Sequence, residues 1–192
     1  MNDVGGESRE FEPSRFFESF FWVARELLLR PKPFFRQLPL NAPLRSPLLF
    51  LATTSFLTAL FMANYRGVGF SVFVLLMGAN IISALFSGLL LHAMVKRLTN
   101  PRAGIGTTLR IVCYASIVDL AAWIPVVGVV PYCYGLYLMF LGLQETHHLP
   151  PRQAALTLTA IIVVITTLVM SLVLIAPQSM QEGLKLLDPQ QP

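Results

Sequence analysis

Five long apolar runs, separated by short polar or proline- and glycine-rich stretches, dominate the chain from residue 48 onward. They extend over residues 48–62, 71–95, 109–127, 129–144 and 156–176, and Pro177 ends the last one. A helix needs roughly 17–25 residues to cross a bilayer. The first and fourth runs are at or below this length, so the fourth requires a tight turn over residues 124–131. The pattern predicts an all-α integral membrane bundle of five transmembrane helices.

The residues before these runs predict an amphipathic helix over residues 14–30, with Ser14 as its N-cap. At about 100° per residue, the charged side chains share one arc with Trp22, and apolar side chains fill the opposite arc. So many charges exclude a membrane span, and a face of phenylalanines is too apolar for water, so we expect a helix in the plane of the interface. A helix that covers the cytoplasmic end of the bundle is the alternative. The residues expected to contact lipid are Phe16, Phe17, Phe20, Phe21 and Trp22.

These patterns divide the chain into four parts. Residues 1–13 are expected to be a disordered cytoplasmic tail, 14–46 an amphipathic and interfacial segment, 47–177 the membrane domain, and 178–192 a short external tail. Several prolines between residues 31 and 47 break the second part into short pieces.

Composition supports a membrane protein, since 55% of the residues are hydrophobic and only 12% are charged. Soluble domains carry about 25% charged residues. The net charge of +4 comes from basic residues that flank the apolar runs, mostly on alternate sides, which is typical of membrane topology rather than of nucleic-acid binding. We therefore expect the N-terminus in the cytoplasm, the C-terminus outside, and no nucleic-acid partner. We also expect a helical hairpin over residues 101–154, anchored by Arg102 and Arg110 at its start and by Arg152 at its end.

One carboxylate, Asp119, falls near the middle of the third run. An aspartate at the bilayer centre costs roughly 2.5–3.5 kcal/mol on insertion scales, so it needs a partner, a proton or a wet cavity. Asn80 of the second run and Tyr137 of the fourth come to a similar depth. We expect a hydrogen bond from Asp119 to Asn80 or to Tyr137 that joins the helices. The alternative is a small channel or permease that uses the Asp119 and Asn80 pair.

Small residues at helical spacing predict where membrane helices pack closely. The residues expected to do this are Ala79, Ser83 and Ser87 of the second run and Gly135 and Gly142 of the fourth. Packing within one chain is the first interpretation, and a homo- or hetero-oligomer through these helices stays open.

Residues able to carry chemistry are few, and no spacing among them predicts catalysis. The sequence has no zinc-protease, nucleophile-elbow or phosphate-loop motif and no pair of intramembrane aspartates. His147 and His148 are adjacent, so on a helix their side chains diverge by about 100° and make poor joint metal ligands. Cys113 and Cys133 lie near opposite ends of the two hairpin helices, too far apart for a disulfide. We expect no enzyme activity, no metal and no cofactor.

The sequence resembles a known family in the order of several motifs. In chain order the motifs are RPKPFFRQL at residues 30–38, PLLFL at 47–51, GIGTTLRIVCYAS at 104–116, IPVVG at 124–128 and YLMFLGLQETHHLPPRQA at 137–154. In this order they resemble the short bacterial form of the Yip domain family, the Ypt/Rab-interacting membrane proteins. The resemblance covers about residues 28–176. It implies five membrane helices, a cytoplasmic N-terminus and an outer C-terminus.

Eukaryotic members of this family are associated with Rab-type GTPases, with one another, and with vesicle traffic and membrane shaping. They carry long cytosolic N-terminal regions that this chain lacks, which argues against GTPase binding here. The family pattern also implies small residues or proline where Val118 and Asp119 follow the YAS stretch. We therefore expect a non-enzymatic protein of the bacterial cytoplasmic (inner) membrane, a scaffold that organises the membrane through helix packing and lipid contact. An accessory subunit of a membrane complex is a further alternative.

Overall fold

The computed structural model describes residues 10–39, 42–67, 69–99, 103–122, 124 and 128–175. The expectations for residues 1–9, for Arg102 and for the external tail at 178–192 lie outside this range. Within it the protein is helical and has no strand. Helices α1 to α8 extend over Phe16–Leu29, Pro31–Arg36, Arg45–Arg66, Phe70–Leu98, Ile105–Ala115, Asp119–Ala122, Val129–His147 and Pro151–Ile175, and two 3-10 turns over Pro13–Arg15 and Ser116–Val118.

Four helical stretches in the described part of the chain are long and apolar enough to cross a membrane. They are Arg45–Arg66, Phe70–Leu98, Ile105–Ala122 and Pro151–Ser171, which correspond to α3, α4, α5 together with α6, and α8. The structure thus supports four of the five expected spans. The remaining helix, α7, has 19 residues, but its last turn is polar and lowers its mean hydropathy.

Helix α3 is longer at both ends than the apolar run that predicts it. Pro47 lies in its first turn, where backbone N–H groups have no partner within the helix. The missing N–H of proline therefore costs no intrahelical hydrogen bond there. Gly67 ends it with a φ of 64°, the left-handed conformation that glycine adopts without a Cβ penalty, and the Gly67 N–H bonds to Ala63 O. The helix therefore reaches the length of a span although its apolar run is short.

The central helix of the bundle is α5, which contacts α3, α4 and α7. Of the span Ile105–Ala122, 61% is buried inside the protein, against only 11% of the span formed by α4. A helix that is apolar on all sides but little buried by protein suits a lipid surrounding. The bundle is therefore built around α5, with α4 and α8 turning much of their apolar surface outward.

Glycines set how closely the neighbouring helices approach α5. A Cβ added to Gly142 of α7 would lie 2.5 Å from Ile111 Cγ2, and one added to Gly88 of α4 would lie 2.8 Å from Leu109 Cδ2. Both distances are shorter than carbon atoms tolerate, so no larger residue fits without a shift. Gly142 therefore lies at a close helix contact, the position that small residues favour between membrane helices.

The connection between α6 and α7 is tight, as the short fourth run requires. The Gly128 N–H donates to Ile124 O at 2.8 Å, and a Cβ on Gly128 would lie 2.2 Å from Ala122 O. This close backbone approach requires glycine.

Candidate functional site

The N-terminal helix α1 divides its apolar side chains between two faces. Phe20, Val23 and Leu27 are buried against the bundle, and the ring centroid of Phe20 lies 5.3 Å from that of Phe50 in α3. Phe20, only 8% exposed, therefore lies on the protein side of the helix and apart from the other residues expected to contact lipid. This face matches the alternative interpretation, a helix that covers one end of the bundle.

A second apolar strip of α1 stays open at the surface. Phe17 is 75% exposed and Phe21 69% exposed, and Leu28 is exposed on the same side of the helix. We call Phe17, Phe21 and Leu28 the outer strip. Phe16 and Trp22 are also exposed, to a lesser degree. The helix thus presents phenylalanines outward while its other apolar face is held by protein.

Tyr134 of α7 holds the C-terminal end of α1. Its hydroxyl group lies 2.9 Å from Leu27 O and 3.0 Å from Leu28 O, close enough to donate to either. The last carbonyl groups of a helix have no partner within the helix, so this O–H satisfies a group that would otherwise need water. The contact fixes α1 to the bundle at a second point.

Arg110 in α5 ties down the segments that come before α1 and after α2. Its guanidinium group donates to the Glu10 carboxylate and to the backbone carbonyl oxygens of Ala42 and Pro43, the last at 2.9 Å. The ion pair is buried, with 1% of the Arg110 side chain and 6% of the Glu10 side chain exposed. We call these four residues the Arg110 clamp. The expectation that Arg110 anchors the hairpin at its basic end is corrected, because Arg110 is an interior group that organises the N-terminal segment.

Glu10 lies outside the membrane-spanning helices and carries the negative charge of the clamp. Burial raises the pKa of its carboxyl group above the ordinary value of 4.5, while the hydrogen bond and the positive charge of Arg110 act to lower this pKa. The charged form of Glu10 therefore depends on the guanidinium group beside it.

A second feature is a cavity of about 350 Å³ between α4, α7 and the span formed by α5 and α6. Its apolar wall includes Val112, Leu136 and Met139. Asn80 of α4 and Asp119 line the same space. We call this space the Asp119 cavity. Its polar lining consists of Asn80, Ser83, Ser87, Ser116, Asp119 and Tyr132.

Two of the three residues expected at this polar site come together. Asn80 and Asp119 both line the cavity, whereas Tyr137 lies outside the cavity lining and is exposed, with its ring centroid 5.8 Å from that of Tyr134. Asp119 also lies nearer the end of its span than expected, because it begins the short α6 (Asp119–Ala122) that ends the span. The span begins and ends earlier along the chain than the apolar run at 109–127 that predicts it.

The small residues predicted for helix packing have different positions. Ser83 and Ser87 line the Asp119 cavity, and Ser83 Oγ donates to Asn80 O at 3.0 Å. Ala79 is exposed. Gly135 lines the cavity too, and a Cβ on it would lie 3.0 Å from Val118 Cγ2. The serines of α4 thus leave space beside Asp119, while Gly135 and Gly142 lie at close contacts of α7.

The sequence patterns missed a buried hydrogen-bonded chain that links α4, α5 and α7. His92 Nδ1 lies 3.1 Å from Thr108 Oγ1, which lies 3.0 Å from His147 Nε2. These residues are far apart in the sequence, so no local spacing indicates the chain. His148, in contrast, is exposed. Among the residues that the structure describes, no group of three or more His, Cys, Asp or Glu side chains is placed to hold a metal ion.

The family model of the Yip1 domain matches residues 25–173, from within α1 to near the end of α8, and so covers most of the chain. No curated protein and no solved structure matches the chain.

Proposed function

This chain belongs to the Yip1 domain family, and on that basis we propose that it is a non-enzymatic scaffold that organises the bacterial cytoplasmic membrane. Its membrane domain crosses the bilayer five times, with α7 as the span beside the four apolar ones. The N-terminus lies on the cytoplasmic side and the C-terminus lies outside, while α1 packs along the bundle from Phe50 near the start of α3 to Tyr134 in the first turns of α7. The observation that carries the proposal is that α1 is fixed to the bundle and still turns its outer strip outward.

The packing of α7 supports a fifth crossing. It contacts both α5 and α8, and its Gly142 fits against Ile111 of the central helix. Its 19 residues extend about 28 Å at 1.5 Å per residue, close to the hydrocarbon thickness of about 30 Å. A helix of this length packed beside spanning helices has its two ends on opposite sides of the membrane.

The distribution of basic residues supports the orientation. Arg45 begins α3, Lys96 and Arg97 lie in the last turn of α4, and Arg152 lies in the first turn of α8. Arg110 binds Ala42 and Pro43 just before α3, and Thr108, two residues from Arg110, contacts His92 near the end of α4 and His147 at the end of α7, which precedes α8. These helix ends therefore lie on one side of the bundle. Short segments rich in Lys and Arg stay in the cytoplasm.

The outer strip gains free energy only where it leaves water. Full burial of a phenylalanine side chain stabilises by about 1.5–3 kcal/mol relative to exposure, and most of Phe17 and Phe21 is still exposed. Arg25 and Arg30 are exposed as well and can face anionic headgroups. A helix inserted in this way spreads the headgroups of one leaflet, which favours curvature.

The test compares the double variant Phe17→Ser/Phe21→Ser with the matched control Phe17→Leu/Phe21→Leu, each reconstituted into large anionic vesicles. We expect the unmodified protein and the leucine variant to form smaller vesicles or tubules under cryo-electron microscopy, and the serine variant to leave vesicles like those without protein. The changed side chains are exposed, so circular dichroism should show the same helix content in all three proteins. Equal reshaping by the serine variant would refute the proposal.

A further inference from the structure

The Asp119 cavity contains a carboxyl group, and none of its lining residues is basic. An aspartate within a span is unfavourable, and proteins offset this with a partner or a wet cavity. Asn80, which lines the cavity with Asp119, offers only a neutral amide. The lining of the cavity therefore holds no positive charge to pair with the Asp119 carboxylate.

The neighbouring hydroxyl groups bond to other acceptors. Ser83 Oγ donates to Asn80 O at 3.0 Å. Ser116 Oγ donates to Cys113 O at 2.7 Å and lies 2.7 Å from Thr54 Oγ1 of α3. The Ser83 and Ser116 protons are thus directed away from Asp119.

We propose that the Asp119 cavity binds a protonated primary amine, with the Asp119 carboxylate as the acceptor of its N–H groups. A primary ammonium group carries three N–H donors and a positive charge, and its hydrogen bonds to a carboxylate are charge-assisted. The hydroxyl oxygens of Ser83 and Ser87 line the same space and provide further acceptors. A quaternary ammonium group has the charge but no N–H, so it lacks these bonds.

The position and size of the cavity indicate where such an amine comes from. Asp119 begins the last short helix of its span, and the exposed Tyr132 lines the cavity near the start of α7. A volume of about 350 Å³ is at the lower end of small-ligand pockets, which measure about 300–1,000 Å³. The cavity therefore suits a headgroup-sized ligand at the membrane boundary, either the ethanolamine group of a phospholipid or a small soluble amine.

The experiment uses the purified full-length protein in detergent with equal amounts of phosphatidylethanolamine and phosphatidylcholine, and native mass spectrometry counts the bound lipids. Both lipids are zwitterionic, but only the ethanolamine group has N–H donors. A hydrogen bond to a charged group contributes about 1.5–3 kcal/mol, so we expect phosphatidylethanolamine to be preferred by about tenfold or more. Free ethanolamine is tested in a second arm. Binding of free ethanolamine that displaces the lipid identifies a soluble amine as the source, and binding of the lipid alone identifies the membrane.

Two cavity variants and one control complete the test. Asp119→Asn keeps the shape of the side chain and removes its charge, and Ser87→Met fills the cavity without changing the carboxyl group. Either variant is expected to reduce the preference to about one to one, and Ser87→Met decides the matter if Asp119→Asn does not fold. Tyr137→Phe, outside the cavity, is expected to keep the preference. The proposal would be overturned if the unmodified protein neither preferred phosphatidylethanolamine nor bound ethanolamine. It would also be overturned if both properties persisted in the cavity variants. In either case a proton would be left as the partner of Asp119.

Discussion

Replacement of Arg110 by methionine removes the cation of the Arg110 clamp and leaves Glu10 buried without its counter-charge. Removing one partner of a buried ion pair destabilises by about 3–5 kcal/mol. The near-complete burial of both side chains puts this pair in that class. Because the clamp binds the segments before α1 and after α2, we expect the loss to fall on residues 10–38 rather than on the whole bundle.

Limited proteolysis measures this loss, because trypsin cleaves after Arg25 only when α1 opens locally. At 1.4 kcal/mol per factor of ten, the expected loss raises the open population and the cleavage rate by roughly two to four orders of magnitude. The control is Glu10→Gln/Arg110→Met, which removes both charges and is expected to recover most of the protection. Equal cleavage rates in the unmodified protein and in Arg110→Met would refute the assignment of the clamp.

The pH dependence checks the sign of the same argument. Burial raises the pKa of Glu10 above 4.5 in the folded protein, and Arg110→Met removes the group that lowers this pKa, so it rises further. A carboxyl group whose pKa is raised on folding contributes stability below its unfolded pKa and loses that contribution as the pH rises through the folded value. In Arg110→Met, protection of α1 should therefore fall as the pH rises above 4.5. In Glu10→Gln/Arg110→Met we expect no such trend, and a flat profile in the single variant would contradict an unpaired buried carboxylate.

Two further predictions concern α7. The first uses a background in which both native cysteines are replaced by serine. A membrane-impermeant thiol reagent should then label Val129→Cys in intact cells but reach Pro150→Cys only after permeabilisation. Labelling of both variants from outside would exclude the fifth span. Gly142→Ala places a methyl group 2.5 Å from Ile111 Cγ2 and should destabilise the bundle by about 1–3 kcal/mol, seen as a lower thermal midpoint in detergent. Gly78→Ala in α4 is the matched control, since nothing lies within 4 Å of its added Cβ, and an equal loss in both variants would mean that the α5–α7 contact is not tight.

Periodicity predicted α1 but could not separate its two apolar faces. A hydrophobic pattern reports that a side chain leaves water, and it does not distinguish burial in protein from burial in lipid. Phe20 and Phe21 are adjacent and chemically identical, yet Phe20 packs on Phe50 while Phe21 is exposed. Only the position of α3 decides between them, and this is a property of the tertiary structure.

Charge patterns failed at Arg110, whereas polar residues within the apolar runs indicated that Asn80 and Asp119 lie at one site. Many basic and acidic residues lie near the ends of the spans, so nothing in the sequence selects Glu10, 100 residues away, as the partner of Arg110. Inside the apolar runs, polar side chains are few, and each must find a partner because lipid offers none. The sequence therefore indicated Asn80 and Tyr137 as candidate neighbours of Asp119, but it could not choose between them or give the exact end of the span.

The buried clamp bears directly on how α1 meets the membrane. A buried ion pair contributes little net stability compared with a packed apolar pair, so we infer that the role of Arg110 is to place the N-terminal segment in one arrangement. An unrestrained interfacial helix would roll until Phe20 reached lipid together with Phe17 and Phe21. With the clamp before α1 and Tyr134 at its end, the outer strip faces outward while Phe20 stays packed on Phe50. The helix is thus ordered before it meets lipid, and the conformational entropy that a disordered segment would lose on binding is already lost on folding.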